Sequence, residues 1–388
     1  MSPDFIPLSV PVLAGNEWTY VRECLDTGWV SSAGPFVTRF ETELAGATGA
    51  AHAVACTSGT AALHVSLRLA GVGRGDLVLA PTVTFVAPIN AIRYLGADPV
   101  FFDCDRHYNL DPEPLRQFLD AETEQREGSL HDRSTGRRIG ALLTVAVFGH
   151  AGDWQDLYAS CRERGLAVVE DATEALGTRY TSGGWSGRHA GTNSEFGCFS
   201  FNGNKIITTG GGGAIVTDRA DHAGRARYLT QQAKDDPIAF RHDEVGYNYR
   251  LTNLAAALGV GQLELLEHFV ARKRANLARY GERLAHLPWC ELAPAPPYAR
   301  NNHWMYPLYL RDGKWRGRAR ELVAALGAEG IETRPLWMLN HLQRPYRGCR
   351  VVGDRRARDL VANTVNLPCS VDLTPAAVDR VCEVLAHV

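Results

Sequence analysis

The chain has no Cys-x-x-Cys pair and no Cys/His cluster at zinc spacing. Its nine cysteines are scattered, which supports neither a disulfide framework nor a metal site and fits a reducing cytoplasm. Neither charge is in excess: 41 basic against 43 acidic residues leave no bulk attraction to nucleic acid or to an anionic membrane. No uninterrupted apolar stretch approaches the roughly 20 residues that span a bilayer. The stretch Met1 to Pro7 lacks the basic and apolar regions of a signal peptide. No fixed-period repeat suggests a solenoid. A nicotinamide-dependent oxidoreductase would want Gly-x-Gly-x-x-Gly directly after the first strand, whereas the glycines Gly210 to Gly213 come late and follow a lysine.

What is present is a globular composition, 45% apolar over 388 residues, which exceeds a single compact core. Two domains are expected, residues 1–255 and 256–388. Helical and strand patterns alternate from about residue 16 to about residue 220, as in a mostly parallel α/β sheet covered by helices on both faces. Asn16 to Thr27 reads as a helix ended by Gly28. Leu77 to Ala80, Pro99 to Asp103, Ala141 to Phe148 and Leu166 to Glu170 read as buried strands, and Trp154 to Arg164 as a helix between them. The polar stretch Glu122 to Arg138 reads as a surface excursion with solvated charges. Leu254 to Tyr280 is one long helical pattern. Pro294 to Pro297 breaks the chain before a strand-like run, Trp304 to Leu310, and a helix at about Arg318 to Glu329, which together suggest a smaller C-terminal α+β domain.

The run Ser200-Phe201-Asn202-Gly203-Asn204-Lys205-Ile206-Ile207-Thr208-Thr209 carries the strongest chemical signal. A solvated lysine needs neither small and amide residues before it nor a glycine run behind it that lets backbone approach a ligand. Upstream, Asp171 closes an apolar run that reads as a strand. A lysine and a strand-end carboxylate in this order point to pyridoxal 5'-phosphate, whose pyridine nitrogen stays protonated beside a buried negative charge. Thr57 to His64 reads as a helix start after Ala53 to Cys56, where free N–H groups, the helix dipole and hydroxyls attract phosphate. Pro81 to Phe85 ends in an aromatic that could lie on a flat ring. All four signals sit at strand ends, where open α/β sheets bind ligands. His150, after the strand pattern, reads as a satisfied loop histidine.

Over nearly its whole length the chain resembles the nucleotide-sugar aminotransferases of the DegT/StrS type. The resemblance rests on Gly28 to Pro35, Ser58-Gly59-Thr60, Phe85, Glu170-Asp171-Ala172, Ser200 to Lys205, Gly246 to Thr252 and Arg334-Pro335-Leu336-Trp337. It implies the aminotransferase fold type I, with Lys205 carrying pyridoxal phosphate, Asp171 holding the ring nitrogen, and Phe85 stacking on the ring. It also implies that Ser58, Gly59, Thr60, Ser200 and Asn204 surround the cofactor. Glu174 is expected to share a helical face with Asp171 and to reach the ring edge or the sugar. Trp29, Ser31, His303, Trp304, Tyr306, Arg334 and His341 resemble sugar and nucleotide contacts. Asn248 would cross a homodimer to the phosphate of the neighbour's cofactor, making shared active sites.

The activity implied is a double displacement in the cytoplasm, with glutamate as amino donor, pyridoxamine 5'-phosphate as the intermediate form, and a nucleotide-linked 4-keto sugar as acceptor. Such enzymes supply amino sugars for surface glycans such as lipopolysaccharide. Gly210 to Gly213 replaces the Gly-Glu-Gly-Gly of many members. With the run Asn202 to Thr209, the insertion from about Glu122 to Arg138 and the run Asn340 to Tyr346, it suggests the LegC-like branch, which acts on UDP-linked 4-keto-6-deoxy N-acetylhexosamines. GDP-perosamine-type and dTDP-sugar aminotransferases are the alternatives within the family. A catalytically silent ligand-binding relative is the alternative outside it, though Lys205 argues against the histidine-bearing deoxygenating relatives.

Overall fold

The computed structural model describes residues 5–236 and 238–388. Residues Met1 to Asp4 of the stretch read for a leader lie outside the described residues. Eight strands form the main sheet, in the order His52–Cys56, Gly213–Thr217, Phe196–Ser200, Ala167–Asp171, Ile139–Val145, Leu77–Pro81, Asp98–Phe102 and Val351–Val352. Gly213–Thr217 pairs antiparallel with both neighbours, and the other five junctions are parallel. The apolar runs read as strands are those buried on both faces: every residue of Leu77–Pro81 and Ile139–Val145 is buried. A second sheet, wholly antiparallel, has the order Cys290–Leu292, Tyr306–Leu310, Thr364–Leu367, Arg334–Pro335. It shares one apolar core with the helices Leu266–Leu284, Ala319–Ala328, Arg355–Asn363 and Pro375–His387. Segments also cross between the two halves of the chain. Val351–Val352 completes the edge of the main sheet, and Ile6 and Leu8 bond to Gly330 and Cys369 beside the second one.

Helix starts follow local chemistry. Ser58 caps Gly59–Leu69 by accepting from the Ala61 N–H at 3.0 Å, and Thr252 caps Asn253–Leu263 in the same way. Gly28, with φ +74°, ends the helix Glu17–Thr27 in the left-handed conformation that a side chain disfavours.

Four expectations change. The long pattern from Leu254 to Tyr280 is two helices, Asn253–Leu263 and Leu266–Leu284, bent by 59°. Apolar periodicity runs across the break, but tertiary contacts fix it. The Glu264 carboxylate accepts from Asn16 and Tyr20, both at 2.7 Å, and from Arg39 at 3.0 Å, which ties the break to the first two helices. The strand expected to reach Phe148 stops at Val145, and Val147–Gly149 makes a tight turn with Phe148 at φ +59°. The stretch 122–138 contains a hairpin, Thr123–Arg126 and Ser129–Asp132, and its charges are not all solvated. Arg137 binds Asp98 at 2.7 Å, and the buried Asp132 takes Arg350 at 2.6 Å. The residues after Asp171 form turns, not a helix, closed by the Ala175 N–H on the Ala172 carbonyl at 2.9 Å. Among the described residues no single helix is long and apolar enough to cross a membrane, and all nine cysteines are free.

Candidate active site

Parallel pairing puts the carboxyl ends of Ala167–Asp171 and Phe196–Ser200 side by side, next to the start of the helix Gly59–Leu69. A cavity of about 650 Å³ opens there, closed from the other side by the second sheet. Ser58, Gly59, Thr60, Ser200 and Phe85 line it, as do Asp171, Glu174, Asn204, Lys205 and Arg334. Residues separated by more than 200 positions in sequence, such as Phe85 and Arg334, thus line one cavity.

The phosphate end of this cavity is a close approach of three segments. A Cβ on Gly59 would stand 2.8 Å from the Ser200 Cβ, so only glycine admits Ser200 to the helix start. The Ser58 hydroxyl accepts the capping bond, which leaves the first-turn amides and the dipole of an 11-residue helix facing the cavity beside the Ser200 and Thr60 hydroxyls. That donor set suits a phosphate. Phe85 stands at the head of the helix Val86–Tyr94 with 52% of its surface exposed, and it lines the cavity, so its ring is open to a ligand there. An acid at the strand end, a lysine, a hydroxyl-and-amide cradle and an open aromatic face together fit pyridoxal 5'-phosphate.

The carboxylates of the charged centre are buried. Asp171 is 2% exposed, and its Oδ1 accepts from the Thr173 N–H at 3.1 Å. Burial raises its pKa, opposed by the Thr173 hydrogen bonds and by the positive charge of Lys205. Glu174 accepts from the Phe148 N–H at 2.7 Å, so the tight turn at Val147–Gly149 positions this carboxylate. Its Oε1 lies 3.5 Å from the Lys205 Nζ. Burial pushes Glu174 up to about 7 against the lowering pull of Lys205, so its charge changes near neutrality. On the opposite side of the strand, burial likewise pushes Glu170 up to about 7; its Oε1 accepts from the Gly191 N–H at 2.8 Å, away from the cavity.

The structure separates six expected contacts from this cavity. Trp29 and Ser31 lie on the loop before the helix Pro35–Thr48, and their carbonyls accept from the Asn253 side chain at 2.8 Å and its backbone N–H at 2.6 Å. Asn253, which no sequence motif singled out, therefore pins the Gly28 to Pro35 run. Asn248 lines a separate depression of about 500 Å³ with Ser32, Lys234 and Arg250. Tyr306 is corrected to a core residue: it is fully buried, and its hydroxyl donates to the Lys273 carbonyl at 2.8 Å. His341 is corrected likewise, because its ring is held between the Thr82 hydroxyl at 2.7 Å and Asp354 at 3.1 Å. His303 packs edge-on to His150, and burial pushes its ring down to about 3, leaving it neutral. His150 itself is 1% exposed, with Nδ1 at 3.2 Å from the His107 carbonyl oxygen. In their place the second sheet and its helices bring Trp304, Trp337, Met338, Arg320 and Asn366 to the cavity. Arg320 and Asn366 come from short segments with no motif around them.

Comparison with known proteins places this geometry. Residues 11–386 match the DegT/DnrJ/EryC1/StrS aminotransferase family. The chain is 37% identical over 391 residues to the GDP-perosamine synthase of Caulobacter vibrioides, covering 99% of this chain and 98% of that one. It is 33% identical over 379 residues to the GDP-perosamine synthase of Escherichia coli O157:H7, covering 98% and 97%. Among solved structures it is similar to DesI, determined in the presence of its TDP-sugar product, with a TM-score of 0.85, 31% identity, and 98% and 92% of the two chains covered.

Proposed function

The chain belongs to the DegT/DnrJ/EryC1/StrS aminotransferase family, and from that premise we propose that it moves an amino group from glutamate to the C4 ketone of a GDP-linked 4-keto-6-deoxy sugar. The family makes it a pyridoxal phosphate-dependent nucleotide-sugar aminotransferase of amino-sugar biosynthesis. The sugar and the donor are the proposal. Support for the GDP-linked acceptor comes from the two curated relatives named GDP-perosamine synthase. The UDP-linked N-acetylhexosamine reading belongs to the LegC-like branch, which rests on the run Asn202 to Thr209, the insertion Glu122 to Arg138 and the run Asn340 to Tyr346. Asn202 and Asn204 of the first line the cavity, but the other two stretches do not, and the Asn340 amide is bound to the Thr84 carbonyl at 2.8 Å.

When bound, the cofactor supplies an electron-withdrawing ring that stabilises negative charge on the carbon losing its proton. The chain's own residues do the rest. Lys205 Nζ is the covalent anchor and, once released, the base that moves the proton. Asp171 holds a negative charge where a protonated ring nitrogen needs one. The Gly59 and Thr60 amides with Ser200 would hold the phosphate, Phe85 would cover the ring, and the second sheet with Trp304 and Trp337 closes the cavity against water. The carrying observation is the convergence of Lys205, Asp171 and the helix start at Ser58 in one cavity.

A panel of GDP-, UDP- and dTDP-linked 4-keto sugars tests the acceptor. The GDP-linked substrate should show the highest kcat/KM, by about tenfold or more if the base is read by even one good hydrogen bond. A clear preference for a UDP-linked acetamido sugar would return the protein to the LegC-like branch.

The protein is further proposed to act as a homodimer in which Asn248 completes the partner's site, since within one chain it lies outside the Lys205 cavity. With Asn248→Ala impaired on its own, co-expressed Lys205→Ala and Asn248→Ala chains should recover about a quarter of wild-type activity under random pairing. Mixed dimers without recovered activity would refute the shared site.

A further inference from the structure

Lys205 is the residue of this site that must leave and return. On the reading above its amine is covalently engaged between turnovers and free during each half-reaction. A free lysine in a cavity of about 650 Å³ has many places to go. The structure shows one that is built for it. The Lys205 Nζ lies 3.9 Å from the centroid of the Trp304 ring and 3.5 Å from Glu174 Oε1, so an aromatic face and a carboxylate hold it from two sides.

The indole is fixed more firmly than packing requires. Trp304 is 3% exposed, and its Nε1–H donates to the backbone carbonyl of Asn204, the residue before the lysine, at 2.6 Å. Its own N–H donates to Asn302 Oδ1 at 2.9 Å, and its carbonyl accepts from the buried Lys273 Nζ at 2.6 Å. Lys273 also donates to the Cys369 carbonyl at 2.6 Å, tying the long helix Leu266–Leu284 to the same place. Immediately before Trp304, His303 is held at φ +53°, a conformation side chains disfavour, which the surrounding bonds impose.

We propose that Trp304 and Glu174 form a dock for the Lys205 ammonium, the position the protonated side chain takes between proton transfers, in the cofactor-free and pyridoxamine 5'-phosphate forms, with Trp304 as a positioning residue and Lys273 as its support. This rests on the aminotransferase reading for its timing but not for its geometry. A docked lysine returns from a fixed point near its covalent partner, so loss of the dock slows turnover.

The chain has only four lysines, Lys205, Lys234, Lys273 and Lys314, so protein labelled with ¹³C at the lysine ε-carbon gives few NMR resonances. Spectra of the cofactor-free protein and of its pyridoxamine 5'-phosphate form test the dock directly, with Lys205 assigned by its loss in Lys205→Arg. The Lys205 ε-methylene protons should lie upfield through the indole ring current. In Trp304→Phe the shift should shrink, because a phenyl ring current is weaker, and in Trp304→Leu it should vanish. Trp304→Leu should lower kcat on the order of tenfold, and Trp304→Phe should recover most of that loss. A Lys205 resonance indifferent to both substitutions overturns the dock. If Trp304→Leu does not fold, an unmoved resonance in Trp304→Phe is enough to overturn it. An inactive enzyme whose cofactor-free spectrum still shows the shift would instead overturn the catalytic reading and leave the dock standing.

Discussion

Lys205→Ala should abolish turnover, by about 10⁴-fold or more, and with it the visible absorbance of the cofactor–lysine adduct, while the protein stays folded. The fold survives because Lys205 contributes charge and little packing: its side chain is 13% exposed, and its amine faces Glu174 and Trp304 inside the cavity. Removing that cation does leave Glu174 buried without its partner. The carboxyl already sits near 7, and loss of the lysine charge that lowers it moves it further up, so Glu174 becomes neutral at working pH instead of remaining an uncompensated buried charge. Steady-state assays and the absorbance spectrum of the purified variant, with circular dichroism as the check on folding, read all three outcomes. Substantial steady-state turnover by Lys205→Ala would refute its assignment as anchor and base.

The parts of the site that could be read from sequence are those whose chemistry is local. Ser58 caps its helix because a Ser before a short apolar helix supplies the missing acceptor, and Asp171 ends a strand because the apolar run stops there. Lys205 stands between small and amide residues that a ligand-facing loop needs. Three such positions fall together because a parallel sheet sends its carboxyl ends to one rim. What could not be read is set by contacts between distant segments. The break at Glu264 is held by Asn16, just before the first helix, and by Tyr20 and Arg39 on the first two helices, all more than 200 residues earlier, against a helical periodicity that continues through it. Tyr306 and His341 have side chains suited to a sugar, but the Tyr306 hydroxyl is taken by the Lys273 carbonyl, and the His341 ring is buried with its Nδ1 on the Thr82 hydroxyl and its Nε2 beside Asp354. Arg320 and Asn366 reach the cavity only because the second sheet faces the first, and nothing in their neighbourhoods records that.

Asp171→Ala tests the other half of the charged centre, and it should cost less than the lysine: about 10²- to 10³-fold in kcat/KM, with the visible absorbance retained because Lys205 is untouched. The reasoning turns on desolvation. Asp171 is 2% exposed, and burial raises its pKa, so in the chain alone its ionised form is held at a cost that the Thr173 hydrogen bonds and the Lys205 charge only partly offset. A buried carboxylate kept under those conditions favours a positive partner placed beside it, and a protonated ring nitrogen is such a partner. Asp171→Asn separates charge from shape. The amide oxygen still accepts from the Thr173 N–H, now bonded at 3.1 Å, so local structure persists while the negative charge is gone. If charge is what matters, Asp171→Asn and Asp171→Ala fall to similar rates and differ mainly in thermal stability, the alanine variant being the less stable because the Thr173 N–H loses its partner. If Asp171→Asn runs near the wild-type rate at neutral pH, the carboxylate holds the turn and not the cofactor, and the proposed role fails.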